Sequence, residues 1–333
     1  VNNPPNKDIR WEKTTTVNVG VDFALFRHRL SGTIEYYNKY SVDLLAAING
    51  SPTQGFGYTT LMTNNGKMVN RGVEITLSGE IIRQKDFSWN ASLLYAFNRN
   101  KVKHISVQPS LWDSRISMPT SYPMVGKPLY GIYAYKWAGL NENGDPQVYD
   151  AENNVTSGPA RDYHALVYCG TTVPIHNASL TNVLRYKGFE FSAMLILDAG
   201  HKLRSSNIPS INMSNGRITS TAKGIVDRWT QPGDVTDVPR LLFSNDTENF
   251  NTHRTELYRY SDLFVYDASN IRLSNISLAY RVPAHWCKKI SLSGARLQFN
   301  VENVATFAFD SKANYDLGGK VKPNYVWGLY LNF

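Results

Sequence analysis

The stretch Asn324–Phe333, NYVWGLYLNF, sets the reading of the whole chain. Side chains alternate across a strand. Tyr325, Trp327, Leu329, Leu331 and Phe333 therefore share one greasy face, while Val326, Gly328, Tyr330 and Asn332 share a mixed one. In water, an apolar strand face at a terminus invites aggregation. Against lipid it is at home, and as the last strand of a soluble sandwich it would be packed inside. The stretch alone leaves both readings open.

Working outward, the same period of two recurs along the chain. Val17, Val19, Val21, Phe23 and Leu25 oppose Asn18, Gly20, Asp22 and Ala24. Leu30, Ile34, Tyr36 and Tyr40 oppose Thr33, Glu35, Tyr37 and Lys39. Val73, Ile75, Leu77 and Ile81 oppose Glu74, Thr76, Ser78 and Glu80. Phe87, Trp89, Ala91, Leu93, Tyr95 and Phe97 continue the series, as do Leu129–Trp137, Ala178–Tyr186, Phe189–Leu197 and Leu297–Val301. Carboxylates on the non-greasy face of one strand argue that this face is wet. The run 268–282 slips phase near Ser274–Asn275, which predicts a β-bulge.

The turns alternate in length. FRHRL (26–30), RQKD (83–86), NENGD (141–145), YKGF (186–189) and VPAHWCKK (282–289) are short. The connections at 49–66, 105–127, 151–174, 199–266 and 304–323 are long. Short turns at one edge and long loops at the other are the pattern of an outer-membrane barrel, and the count back from the terminus predicts about eleven strands. Several runs exceed the span needed to cross a bilayer, so the wall should project beyond it. An irregular stretch as long as 199–266 would be out of place in a compact soluble domain, but it is ordinary on the outer side of a barrel.

Composition narrows the classes. The chain has 333 residues and 42% apolar side chains, and it lacks the long apolar run that a spanning helix needs. That leaves a membrane barrel open. Its 20 Tyr, 14 Phe and 7 Trp suit aromatic girdles at the membrane surfaces. The net charge of +8 comes without a Lys/Arg run of motif length, so the basic residues are read as loop decoration near anionic head groups rather than a nucleic-acid site. Seven His residues show no metal-ligand spacing, and neither a P-loop nor GxSxG occurs, so no enzyme, metal or cofactor is expected. NENGDP starts like a calcium loop but lacks its glycine and distal Glu, and reads as a turn. Cys169 falls in a long connection and Cys287 in a short turn, so the two thiols are expected on opposite sides of the membrane and unbonded.

Several segments carry a family resemblance. NPPNKDIRWEKTTTVNVGVDFALFRHRLSGTIEYYNKYSVDLL (3–45), NNGKMVNRGVEITLSG (64–79) and YAYKWAGLNENGDPQVYD (133–150) are similar to the barrel of SusC/RagA-type TonB-dependent transporters of Bacteroidetes outer membranes. DRWTQPGDVTDVPRL (227–241), YDASNIRLSNISLAYRVP (266–283), VENVATF (301–307) and the terminal Phe333 follow in the same order. The resemblance implies an all-β, transmembrane antiparallel barrel of 22 strands around an N-terminal plug. Residues 1–333 are then expected to be its C-terminal portion, without the plug, the TonB box or the first strands of the wall. An open half-barrel leaves two unpaired edges, so the rest of the polypeptide or a second chain must close it.

The resemblance further implies TonB-dependent import of glycans or oligopeptides with a SusD-like surface lipoprotein as partner. The alternative kept beside it is a barrel that anchors a surface assembly without transport. Inner polar residues such as Glu74, Glu80, Arg296 and Glu302 are expected to line a wet lumen or meet the plug. Trp112, Arg161, Tyr163 and Trp229, in the outer loops, are the candidate substrate-binding residues.

Overall fold

Among the residues described by the computed structural model (6–49, 60–107, 114–158, 162–213, 222–243, 252–317 and 322–333), nine period-two runs pair into one antiparallel sheet in sequence order. They are β1 (Lys13–Leu25), β2 (Leu30–Asn49), β3 (Thr60–Arg83), β4 (Phe87–His104) and β5 (His176–Tyr186). They continue as β6 (Phe189–Ala199), β7 (Asn270–Arg281), β8 (Gly294–Ala308) and β9 (Asn324–Asn332). β1 and β9 are the free edges.

Register makes one face continuous. Directly paired residues point the same way, and one row of partners runs Val21–Ile34–Ile75–Tyr95–Ala178–Leu197–Ile271–Phe307 across eight strands. Near the short turns a second row runs Phe87–Tyr186–Phe189–Tyr280–Leu297–Leu329. The polar face is laced across strands instead. Thr33 donates to Asp22 at 2.6 Å and Asn177 to Asp198 at 2.7 Å. Arg185 and Arg296 both reach Glu190, at 2.7 and 3.2 Å. Glu74, Glu80, Arg296 and Glu302 all lie on this face, as the alternation predicts. The expected bulge is also present: Leu273 and Asn275 keep partners on both neighbouring strands, and Ser274 between them has none.

No described helix is long and apolar enough to cross a membrane. β2, β3 and β4, at 20, 24 and 18 residues, exceed the ~10 needed to span a bilayer and project from it on the long-loop side.

The wall has nine strands among the described residues, where the turn count predicted about eleven. The difference lies in 129–150. Gly131–Tyr135 is a strand, but it pairs with Leu166–Thr171 in a separate two-stranded sheet and is buried on both faces. Pro146–Tyr149 belongs to a small three-stranded sheet with Trp137–Leu140 and Val155–Thr156. NENGD is therefore a turn within the outer layer, and 105–175 is a single long connection. Alternation identifies a strand but does not say which sheet it joins.

Cys169 and Cys287 are both free. Cys169 sits in the outer layer, where burial, reinforced by the charge of Asp262, pushes its thiol up to about 11. Cys287 is buried in the 282–293 turn at the opposite edge of the wall.

Candidate functional site

The two long connections, 105–175 and 200–269, fold together on the outer side of the wall. The polar composition of 199–266 reads as irregular, yet it contains a helix, α1 (Thr252–Arg259), and several short strands. α1 packs on Pro146–Tyr149 from the other connection. Leu257 joins Tyr133, Tyr135, Val148, Ala165 and Leu166 in one buried cluster. Tyr258 turns to a second cluster with Ile211 and Phe264, meeting Phe264 edge-on at 4.9 Å. Burial and the nearby Asp237 charge raise the Tyr258 phenol well above its usual range.

Charge ties the connections together. In the NENGD turn, the Asn141 side chain accepts from the backbone N–H groups of Asn143 and Asp145, at 3.0 and 2.9 Å. That places the Asp145 carboxylate against two arginines contributed by the other connection. Arg240 grips it bidentately at 3.0 and 2.8 Å, and Arg254 Nε adds a bond at 2.6 Å. Arg254 also donates to Asn212 Oδ1 at 2.6 Å and to the Arg240 carbonyl at 2.8 Å, and its side chain is 3% exposed. Planar guanidinium forks suit such multiple pairing. A second tie is Arg204, whose guanidinium donates to the carbonyls of Tyr133, Arg259 and Ser261 at 2.7, 3.2 and 3.2 Å. Burial lowers its pKa.

The two described candidate binding residues, Trp229 and Tyr163, lie apart in this layer. Trp229 sits against Gly144 of the NENGD turn, whose φ is +73°, and any side chain there would collide with the indole. Beside Trp229 opens a cleft of about 680 Å³ lined by Leu140, Glu142, Asn143, Pro232 and Thr236. Asp234 closes one side, held by the N–H and hydroxyl of Thr230 and the N–H of Gln231, bonds that lower its pKa. Tyr163 lies elsewhere, under the Arg115 guanidinium at 5.0 Å and against the first core cluster. Trp112 and Arg161 fall outside the described residues.

Sequence reading named Trp229, which lines this cleft, and did not name the polar groups around it or the Arg240–Asp145–Arg254 clamp. NENGDP was the available signal, since an acidic turn at that position needs a counter-charge. Among the described residues no group of three or more His, Cys, Asp or Glu side chains is placed to hold a metal.

Comparison with known proteins agrees with this geometry. Residues 1–304 match the family model described as TonB dependent receptor-like, beta-barrel. TonB-dependent receptor P3 of Formosa agariphila is 25% identical over 346 residues, covering 97% of this chain and 33% of that protein. TonB-dependent receptor SusC of Bacteroides thetaiotaomicron is 25% identical over 312 residues, covering 90% of this chain and 29% of that protein. Among solved structures, that of the RagAB peptide transporter shares the fold, with a TM-score of 0.76 over 99% of this chain and 36% of that one, at 22% identity. The chain spans about a third of the length of these relatives. It belongs to the TonB-dependent receptor β-barrel family, and its nine strands are part of an outer-membrane barrel wall.

Proposed function

We propose that residues 1–333 form the C-terminal part of a TonB-dependent importer of oligomeric nutrients, glycans or oligopeptides, that works with a SusD-like surface lipoprotein. The observation that carries this reading is the pairing of two opposed surfaces on one sheet. A mainly apolar face is fit for lipid, and a face bearing Glu35, Glu74, Glu190 and Asp198 is fit for a wet lumen. Above that lumen stands a folded outer layer with an open, tryptophan-backed cleft.

The free edges β1 and β9 support a further part of the reading, because lipid does not tolerate unpaired strand edges. They are the seams at which the remaining strands join. TonB acts through the plug that the remainder of the polypeptide supplies. Trp229, Tyr163, Trp112 and Arg161 contact the substrate, with Trp229 backed by the Gly144 turn and offering an aromatic face to a sugar ring or an apolar side chain.

The test is uptake by the native bacterium. Cells with and without the gene are given fluorescent oligosaccharides and oligopeptides, each with and without a protonophore. Loss of energy-dependent uptake of one class in the deletion strain supports import and names the class. Unchanged uptake of both, with loss of a surface-attached partner, would favour the anchoring role instead.

A further inference from the structure

Seven acidic side chains of the wall gather on one face. Asp22, Glu35, Glu74, Glu80, Glu190, Asp198 and Glu302 all point to the polar side. On the lipid side, toward the outer end of β4 and opposite it at the middle of the long β3, stand Arg71, Arg99 and Lys101. Arg71 is the direct cross-strand partner of Arg99, and Val69 is the partner of Lys101, so the three cations share one face. Like charges set directly opposite destabilise a strand pair, and no carboxylate among the described residues pairs with them. None of the three is in an ion pair among the described residues, and all are exposed. Arg71 Nε donates only to Asn38 Oδ1, at 2.9 Å.

Their height locates the missing anion. Phe87 and Phe97 both lie on the lipid face of β4, ten residues apart. At about 3.3 Å per residue and the usual strand tilt this is about 25 Å of height, which is the thickness of the apolar band. Phe87 pairs with Tyr186 in the lower aromatic row, while Phe97, Tyr36 and Tyr40 form the upper one. Arg99 is the next lipid-facing residue above Phe97, at the level of the outer head groups. Beside it a cleft of about 150 Å³ brings in Lys127, whose ammonium lies 4.9 Å from the Tyr168 ring.

We propose that Arg71, Arg99 and Lys101 form a binding site for the phosphate group of an anionic lipid in the outer leaflet. The phosphate bridges the opposed guanidinium groups, which suit it geometrically, and the acyl chains lie down the apolar face toward Phe97 and Tyr95. The site rests on the outer-membrane placement of the wall and is independent of what the protein imports.

The experiment is native mass spectrometry of the full-length protein, delipidated in detergent and titrated with monophosphoryl lipid A. Lipid A of the same acyl pattern with its phosphate removed is the paired probe, and inorganic phosphate is the competitor. Wild type is expected to hold the phosphorylated lipid on the order of 100-fold more tightly than the dephosphorylated one, about fivefold per cation. Arg71→Gln/Arg99→Gln/Lys101→Gln is expected to lose that preference, and Arg71→Lys/Arg99→Lys to keep most of it. Equal binding of the two lipids by wild type, or an unchanged preference in the triple variant, overturns the proposal. Displacement of the lipid by an equimolar amount of inorganic phosphate overturns it too, because the site would then read soluble phosphate. Should the triple variant fail to assemble, as shown by lost heat-modifiable gel migration, the wild-type comparison of the two lipids decides alone.

Discussion

The wall and the outer layer spend their aromatic residues in opposite ways. In the wall Trp327 is 78% exposed and Leu329 61%, because the face that bears them is made for lipid. In the outer layer Tyr133 and Tyr258 are each 1% exposed and Val148 is fully covered. The wall is held by ladder hydrogen bonds between sequence neighbours, with lipid as the other half of its packing. The outer layer has its own small core and its own buried charges. It joins segments roughly 100 residues apart: Arg254 and Asp145 are 109 positions from each other. Two physically distinct bodies are thus built from one chain, one solvated by lipid and one folded like a soluble domain.

The largest expected effect breaks the outer layer without touching the wall. Arg254→Ala removes one of two guanidinium groups from Asp145 and empties a nearly sealed site. The cost should be about 3–5 kcal/mol, because the carboxylate is left under-compensated. Hydrogen exchange should show faster opening in 131–171 and 202–267, with protection in β3–β6 unchanged. Loosening of the wall as well would mean that the two bodies are one cooperative unit.

The next prediction attacks the wall. Leu180 lies near the middle of the apolar face, between Leu93 and Leu195. Leu180→Arg puts a charge near the bilayer midplane, at a cost of about 2–4 kcal/mol in refolding titrations into lipid vesicles. Ser179→Arg, one residue away on the wet face, should be nearly neutral. Equal penalties at the two positions would contradict the assignment of faces.

A smaller effect concerns the surface that the outer layer offers. Trp229→Ala should weaken substrate binding about tenfold, or on the order of 1.4 kcal/mol, while thermal unfolding shifts little, since the indole is only partly buried. Isothermal titration with the substrate class identified by uptake measures it.

The smallest is a pH effect. Burial raises the Asp267 pKa, but bonds from Ser269 and the Lys202 ammonium, the latter at 3.0 Å, outweigh it and bring the group from 3.8 to about 2. A carboxylate depressed in the folded state stabilises it above the unfolded value and loses that contribution as pH falls through the folded one. The pairing of Lys202–Arg204 with Val265–Asp267 should therefore weaken between about pH 4 and pH 2. The group is more than a third exposed, so the effect is small. Asp267→Asn should flatten the dependence in hydrogen exchange at these residues.

The same contrast explains what the sequence could reveal. Wall strands carry their geometry locally: each side chain's neighbour two positions on reports the same environment, so NYVWGLYLNF, the Glu74/Glu80 face and the phase slip at Ser274 were all readable. Alternating turn lengths gave the antiparallel order of the wall but counted two strands too many, because NENGD turns within the outer layer. Gly131–Tyr135 was readable as a strand but not as a buried one, since its partner Leu166–Thr171 lies across an intervening small sheet. α1 was hidden because its THRTELYR sequence is mostly polar, and it is buried by partners from another connection. The Arg240–Asp145–Arg254 clamp depends on chain segments brought together only by the completed fold. No local pattern announces it. Trp229 was singled out as an aromatic residue in a long loop, and its support by Gly144 became visible only in three dimensions.

The central claim is that one face of the nine-stranded sheet meets lipid and the other meets water. The most direct measurement is electron paramagnetic resonance of single spin labels along β4 and β5 of the full-length protein in lipid vesicles, with Cys169 and Cys287 replaced. Labels at positions 91, 93, 95, 178, 180 and 182 should collide with lipid-soluble oxygen, and labels at 92, 94, 96, 179, 181 and 183 with a water-soluble nickel chelate. That alternation, in phase on both strands, is the predicted result. Accessibility without a period of two, or with the phases reversed between β4 and β5, would contradict the account.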